Sequence, residues 1–69
     1  MYKYLVVFEK AEKNYSAYSP DLPGCIATGA TRSEVEQNIR DAIRLHIEGL
    51  KQDGLPLPQQ ASFTDYVEV

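Results

Sequence analysis

The acidic side chains are the first candidates for chemistry, because two-metal phosphoryl transfer needs several carboxylates converging on ions roughly 4 Å apart. Counted at ~100° per residue, Asp41 falls far from the apolar stripe of a predicted helix, so we expect it to face solvent. Glu34 is spaced to take part in a helix cap. No convergent set emerges, so the sequence predicts no catalytic, cofactor or metal site. The carboxylates weighed are Glu9, Asp21, Glu34, Asp41 and Asp65.

His46 and Cys25 are the single histidine and the single cysteine of the chain. A histidine acting as a general base needs an orienting partner and a nearby nucleophile, and no recognisable spacing supplies either. Helical counting places His46 within the apolar stripe, so we interpret it as a packed or rim residue. Cys25 has no adjacent base and does not begin a helix, which favours a small buried hydrophobe over a reactive thiol.

Residues 19–25, Ser-Pro-Asp-Leu-Pro-Gly-Cys, form the most distinctive stretch of the sequence. The two prolines fix their own φ and restrict the residues before them, and Gly24 accepts a positive φ without strain. We expect a rigid bend that presents Asp21 and Leu22 to a binding partner. Asp21 has two possible roles, since it can contact a basic group of a partner or cap a backbone N–H within its own turn.

Leu45 and Gly49 are two further candidates for partner contact, both on the predicted helix. Leu45 lies well off the apolar stripe, and a glycine inside a helix costs roughly 1 kcal/mol relative to alanine. Such a glycine permits another backbone to approach closely. The alternative is that Leu45 is an ordinary exposed apolar residue and that Gly49 packs on the sheet.

Hydrophobic patterns predict an α+β fold in the order β-β-β-α-β. Strands are predicted at residues 2–9, 15–19, 25–30 and 63–69, and a helix at 32–53, capped by Thr31 and ended by Gly54. Three strands in a meander followed by a right-handed helical crossover give a mixed four-stranded sheet in the order 3-2-1-4. The helix covers one face of this sheet. The other face stays partly apolar and available to a partner.

Length and charge narrow the classes of function. The 69 residues correspond to one domain, residues 1–69, too short to gain much stability from its own core. With one cysteine no internal disulfide forms, so we expect a homo-oligomer, either a dimer or a tetramer. The formal net charge of −3 includes no basic block, which argues against direct nucleic-acid binding and favours a basic protein partner. No membrane span or signal peptide is visible, and we expect a cytoplasmic protein.

Several of these features together resemble the HicB antitoxin family, over nearly the whole chain. The bend at residues 18–25 and the helix exit at residues 53–58 are jointly the most specific part of the resemblance. The residues that carry it are Tyr18 to Cys25, Gly29, Thr31, Glu34, Asn38, Ala42, Glu48 to Leu50 and Asp53 to Pro58.

The resemblance implies a truncated ribonuclease-H-like domain that is not an enzyme. It also implies an antitoxin that binds HicA, a small basic toxin that cleaves messenger RNA, and covers the toxin's active site. Many HicB proteins carry a C-terminal DNA-binding domain, which we do not expect here because the sequence ends directly after the predicted fourth strand. Two alternatives stay open: an orphan oligomeric module without a toxin, and a ribonuclease-H-like metal-dependent nuclease.

Overall fold

A computed structural model describes residues 2–69, which form a three-stranded antiparallel sheet and one long helix. The strands are β1 (Val7–Lys10), β2 (Tyr15–Tyr18) and β3 (Ile26–Gly29), and the helix α1 spans Arg32–Gln52. The order in the sheet is β1-β2-β3. The α+β class, the meander of the first three strands and the single helix are confirmed.

The strand register separates the two faces of the sheet. Phe8 pairs with Ala17, which pairs with Ala27, and this row lies on the face that carries the core. The next row, Val7, Tyr18 and Ile26, lies on the opposite face, because successive side chains of a strand alternate. α1 packs on β2 and β3, so the second face is left uncovered by the helix.

Helix α1 has the ends that its sequence predicts. The Thr31 hydroxyl accepts a hydrogen bond from the Glu34 N–H at 3.1 Å, which satisfies one of the free donors of the first turn. At the other end Gly54 has φ +67°, and the N–H groups of Gly54 and Leu55 donate to Lys51 and Leu50 at 3.1 and 2.9 Å. These two bonds form a Schellman motif, which ends the helix.

The core lies between α1 and the covered face of the sheet. Its buried residues come from β2, from the bend before β3 and from one stripe of the helix, and Tyr4, Val6 and Ile43 pack at its margin. Gly29 allows the start of α1 to lie directly on β3, since a Cβ at Gly29 would come within 2.6 Å of the Val35 nitrogen. The buried cluster is Ala17, Leu22, Cys25, Val35 and Ile39.

The predicted fourth strand is wrong for this chain, and with it the order 3-2-1-4. Residues 53–69 contain no strand, and β1 is an edge strand instead of an inner one. The alternating pattern of residues 63–69 predicts a strand, but a strand also requires an edge with which to pair. Asp21 holds the chain at Ala61 and Ser62, and residues 63–69 continue from there without pairing with β1.

Candidate partner-binding surface

The bend between β2 and β3 consists of two consecutive β-turns. In the first, the Leu22 N–H donates to the Ser19 carbonyl at 3.1 Å, and in the second the Cys25 N–H donates to the Leu22 carbonyl at 3.1 Å. Pro20 and Pro23 each follow the first residue of a turn, the position where the fixed φ of proline fits. Gly24, at φ +81°, takes the position that requires a positive φ. The predicted rigidity of this bend therefore has a specific backbone cause.

Ser19 and Leu22 fasten the bend to the body of the protein. The Ser19 hydroxyl is buried and donates to the Leu5 carbonyl at 2.9 Å, joining the bend to the residues that precede β1. The side chain of Leu22 is 0% exposed and belongs to the core. The expectation that the bend presents Leu22 to a partner is wrong, because its turn directs this side chain inward.

Asp21 does project from the bend, but its carboxylate is occupied by a distant part of the chain. One oxygen accepts hydrogen bonds from the Ala61 and Ser62 N–H groups, both at 3.1 Å, and the other accepts from the Ser62 hydroxyl at 2.8 Å. The bonds from the Ser62 N–H and hydroxyl, with that from Ala61, lower the pKa of Asp21 below its usual value of 3.8. Asp21 therefore caps backbone N–H groups 40 and 41 residues away instead of its own turn.

The uncovered sheet face, which the sequence predicts to be partly apolar and available to a partner, carries an apolar row whose individual residues the sequence did not single out. Val7 is half-buried, whereas Tyr18 and Ile26 are 40% and 70% exposed. The three lie side by side across the sheet and end at the bend, since Tyr18 and Ile26 immediately flank it. The alternation of side chains along each strand shows which residues share this face. Only the strand register shows that these three residues are neighbours.

Leu45 and Gly49 lie on the helix, away from this row. Leu45 is 71% exposed, as predicted from its position off the apolar stripe. Gly49 is half-buried, and a Cβ built there would meet nothing within 4 Å. Because α1 packs on the opposite face of the sheet, these residues form a second exposed surface that does not join the Val7, Tyr18 and Ile26 row.

The residues weighed for chemistry lie apart. Asp41 is exposed, as predicted, accepting a hydrogen bond from Gln37 at 3.0 Å and facing Arg44 at 3.5 Å. Cys25 is buried, and its desolvation raises the pKa of the thiol. Among residues 2–69, no three His, Cys, Asp or Glu side chains lie close enough to hold a metal ion. In the same part of the chain, no helix has the length and hydrophobicity needed to cross a bilayer.

Comparison with known proteins identifies relatives that are similar in sequence over most of this chain. The chain is 38% identical over 64 residues to a 14.9 kDa protein from the rep-hol intergenic region of Haemophilus phage HP1, covering 93% of this chain and 48% of the phage protein. It is 41% identical over 58 residues to a UPF0150 protein from Thermoplasma acidophilum, covering 83% of this chain and 84% of that protein. The chain thus spans about half the length of the phage relative.

A solved structure and a family model agree with these relatives. A chain of the HicA3 and HicB3 toxin-antitoxin complex superimposes with a TM-score of 0.71 at 32% sequence identity, covering 87% of this chain and 70% of that one. The model of the HicB-like antitoxins of bacterial toxin-antitoxin systems matches residues 4–69, nearly the whole chain. This protein therefore belongs to the HicB-like antitoxin family.

Proposed function

We propose that this chain is an antitoxin that binds and neutralises a small basic HicA-type toxin, and that it does so without catalysis of its own. The observation that carries the proposal is the family match over residues 4–69. The structural similarity to a chain of a HicA3 and HicB3 complex supports the choice of partner. The formal net charge of −3 suits a basic partner, because opposite charge speeds encounter and disfavours wrong partners.

The proposed toxin-binding surface is the sheet face that α1 leaves uncovered. Aromatic and aliphatic side chains near the centre of an interface usually supply most of its binding energy. Tyr18 and Ile26 have this character and are already exposed on a rigid sheet, so little ordering of the protein is needed before binding. The double turn beside them fixes the end of the row.

The residues expected from sequence to contact the toxin have different places in this proposal. Asp21 acts indirectly, since its carboxylate holds Ala61 and Ser62, and Leu22 acts from the core by stabilising the bend. Leu45 and Gly49 would form a separate contact surface on the helix. We also propose that the protein self-associates and acts in the cytoplasm, where messenger RNA is available to a toxin.

Co-expression with the adjacent small basic open reading frame tests this function. We expect the full chain to restore growth of cells that express the toxin, and the two proteins to co-purify. Growth arrest without rescue and without a complex would contradict the proposal and favour an orphan binding module. Nuclease activity of the purified chain with Mg²⁺ or Mn²⁺ would contradict the proposal that the chain acts without catalysis of its own.

A further inference from the structure

Residues 63–69 have the pattern of a strand and no partner within the described chain. Phe63 and Val67 are 87% and 80% exposed, and Val69 is fully exposed. Among residues 2–69, the side-chain hydrogen bond of this segment is local, from the Tyr66 N–H to Asp65. Exposed apolar side chains on an unpaired segment with a strand pattern are typical of a surface that another sheet edge covers.

The open edge of β1 offers such a site. Beside it lies a groove of about 630 Å³ between the first residues of the chain and α1. Phe8 is 40% exposed although it belongs to the row of Ala17 and Ala27 that faces the core, because no strand covers it from the β1 edge. The apolar residues lining the groove are Tyr2, Tyr4, Val6, Phe8, Ile39 and Ile43.

Charge favours the same match. The groove is lined by Lys3, Arg40 and Arg44, with Glu36 as its acidic residue. Residues 63–69 carry Asp65 and Glu68 and no basic side chain. Asp65 lies on the same strand face as Phe63 and Val67, whereas Glu68 lies on the opposite face. A strand built from this segment would therefore bring the Asp65 carboxylate to a mainly basic groove margin while placing Phe63 and Val67 over Ile39 and Ile43.

In this structure residues 63–69 do not pair with β1 of their own chain. The Tyr4 hydroxyl donates to the Pro58 carbonyl at 2.6 Å, so the chain passes near the start of β1 after leaving the helix. It then continues to Asp21, which holds Ala61 and Ser62 at the connection between β2 and β3. Residues 63–69 continue from this point without joining β1, and the high exposure of Phe63 and Val67 shows that these side chains do not fill the groove beside it.

We propose that residues 63–69 of one copy pair as a fourth strand with the β1 edge of a second copy, and that the exchange is reciprocal. Addition of a strand to a sheet edge satisfies backbone groups on both sides, and exchange of identical elements is a common route to symmetric dimers. The proposal specifies the interface of the self-association included above, and it rests on that part of the proposed function. It does not depend on the toxin.

Isotope-filtered NMR on a mixture of labelled and unlabelled full chains tests the exchange directly. We expect intermolecular NOEs from Phe63 and Val67 to Tyr4, Val6 or Ile43. NOEs of these pairs within one copy would overturn the proposal, since the segment would then complete its own sheet. A dimer that lacks these intermolecular NOEs would overturn it as well, while leaving self-association and toxin neutralisation intact.

Sedimentation of matched variants provides the second measurement. The double substitution Phe63→Ser and Val67→Ser removes two of the three apolar side chains of one face, and we expect the dimer to dissociate at least tenfold more readily. The control, Thr64→Ser with Glu68→Gln, changes the other face and should dimerise as the unaltered chain does. Equal dimerisation of the two variants would overturn the proposal. The growth of toxin-expressing cells should also be measured with the same variants. This assay distinguishes an error in the proposed interface from an error in the proposed antitoxin function.

Discussion

The carboxylate of Asp21 holds Ser62, 41 residues further along the chain, through both the Ser62 backbone N–H and its hydroxyl. This contact joins the rigid bend after β2 to the segment that follows the helix. It decides where residues 63–69 leave the domain, and so it links the most distinctive motif of the sequence to the segment that we propose is exchanged.

Acid should release this contact. The pKa of Asp21 is lowered in the folded protein, so the contact contributes stability above the unfolded value of 3.8 and loses it as the pH falls through the lower folded pKa. We expect the amide NMR signals of Ala61 and Ser62 to shift together with a midpoint below 3.8. Asp21→Asn, which lacks the titrating group, should abolish that transition. A midpoint above 3.8 would contradict this account of the contact.

Two glycine substitutions should have opposite effects on stability. At Gly29 an added Cβ would lie 2.6 Å from the Val35 nitrogen and 2.9 Å from its Cα, both backbone atoms that cannot easily move. We expect Gly29→Ala to lower the free energy of unfolding by about 1–3 kcal/mol, the usual cost of overpacking. Denaturant titration measures this change.

Gly49→Ala is the matched comparison. A Cβ there meets nothing within 4 Å, and alanine is favoured over glycine inside a helix by up to about 1 kcal/mol. The free energy of unfolding should therefore rise. Because the proposed toxin-binding surface is the sheet face and not the helix, the same variant should bind the toxin as the unaltered chain does. Weaker toxin binding would place Gly49 in the toxin contact, and a loss of stability would contradict the open space at this position.

Ile26 and Leu45 allow the two exposed surfaces to be compared directly, because their exposures, 70% and 71%, are nearly equal. Each can be replaced by glutamate without placing a charge in the core. We expect Ile26→Glu to weaken the toxin complex at least tenfold, or roughly 1.4 kcal/mol, and Leu45→Glu to leave it unchanged. Titration calorimetry measures both, with circular dichroism as the control for folding. The reverse result would place the toxin on the helix surface.

The Cys25 thiol should be unreactive in the folded protein. It is buried, and desolvation raises its pKa, so the reactive thiolate is less populated near neutral pH than for a free cysteine. We expect a disulfide reagent to modify Cys25 only as fast as the domain opens, and rapidly in denaturant. Equally rapid modification in both states would show that the thiol is accessible.

The sequence by itself determined the features that depend on neighbouring residues. The Thr31 cap, the helix stop at Gly54 and the positive φ of Gly24 are local backbone chemistry, and the structure confirms all three. The exposure of Leu45 and the burial of Cys25 also followed, since helical periodicity and the absence of a polar partner suffice to predict them.

Only the tertiary structure decided the features that depend on distant residues. Leu22 is buried because the second turn directs it towards α1, and Asp21 finds its hydrogen-bond donors at positions 61 and 62. The period-two pattern of residues 63–69 predicts a strand, but it does not specify the sheet edge with which that strand pairs. A strand requires a partner, and the position of that partner is a property of the folded chain and of its neighbours in an assembly.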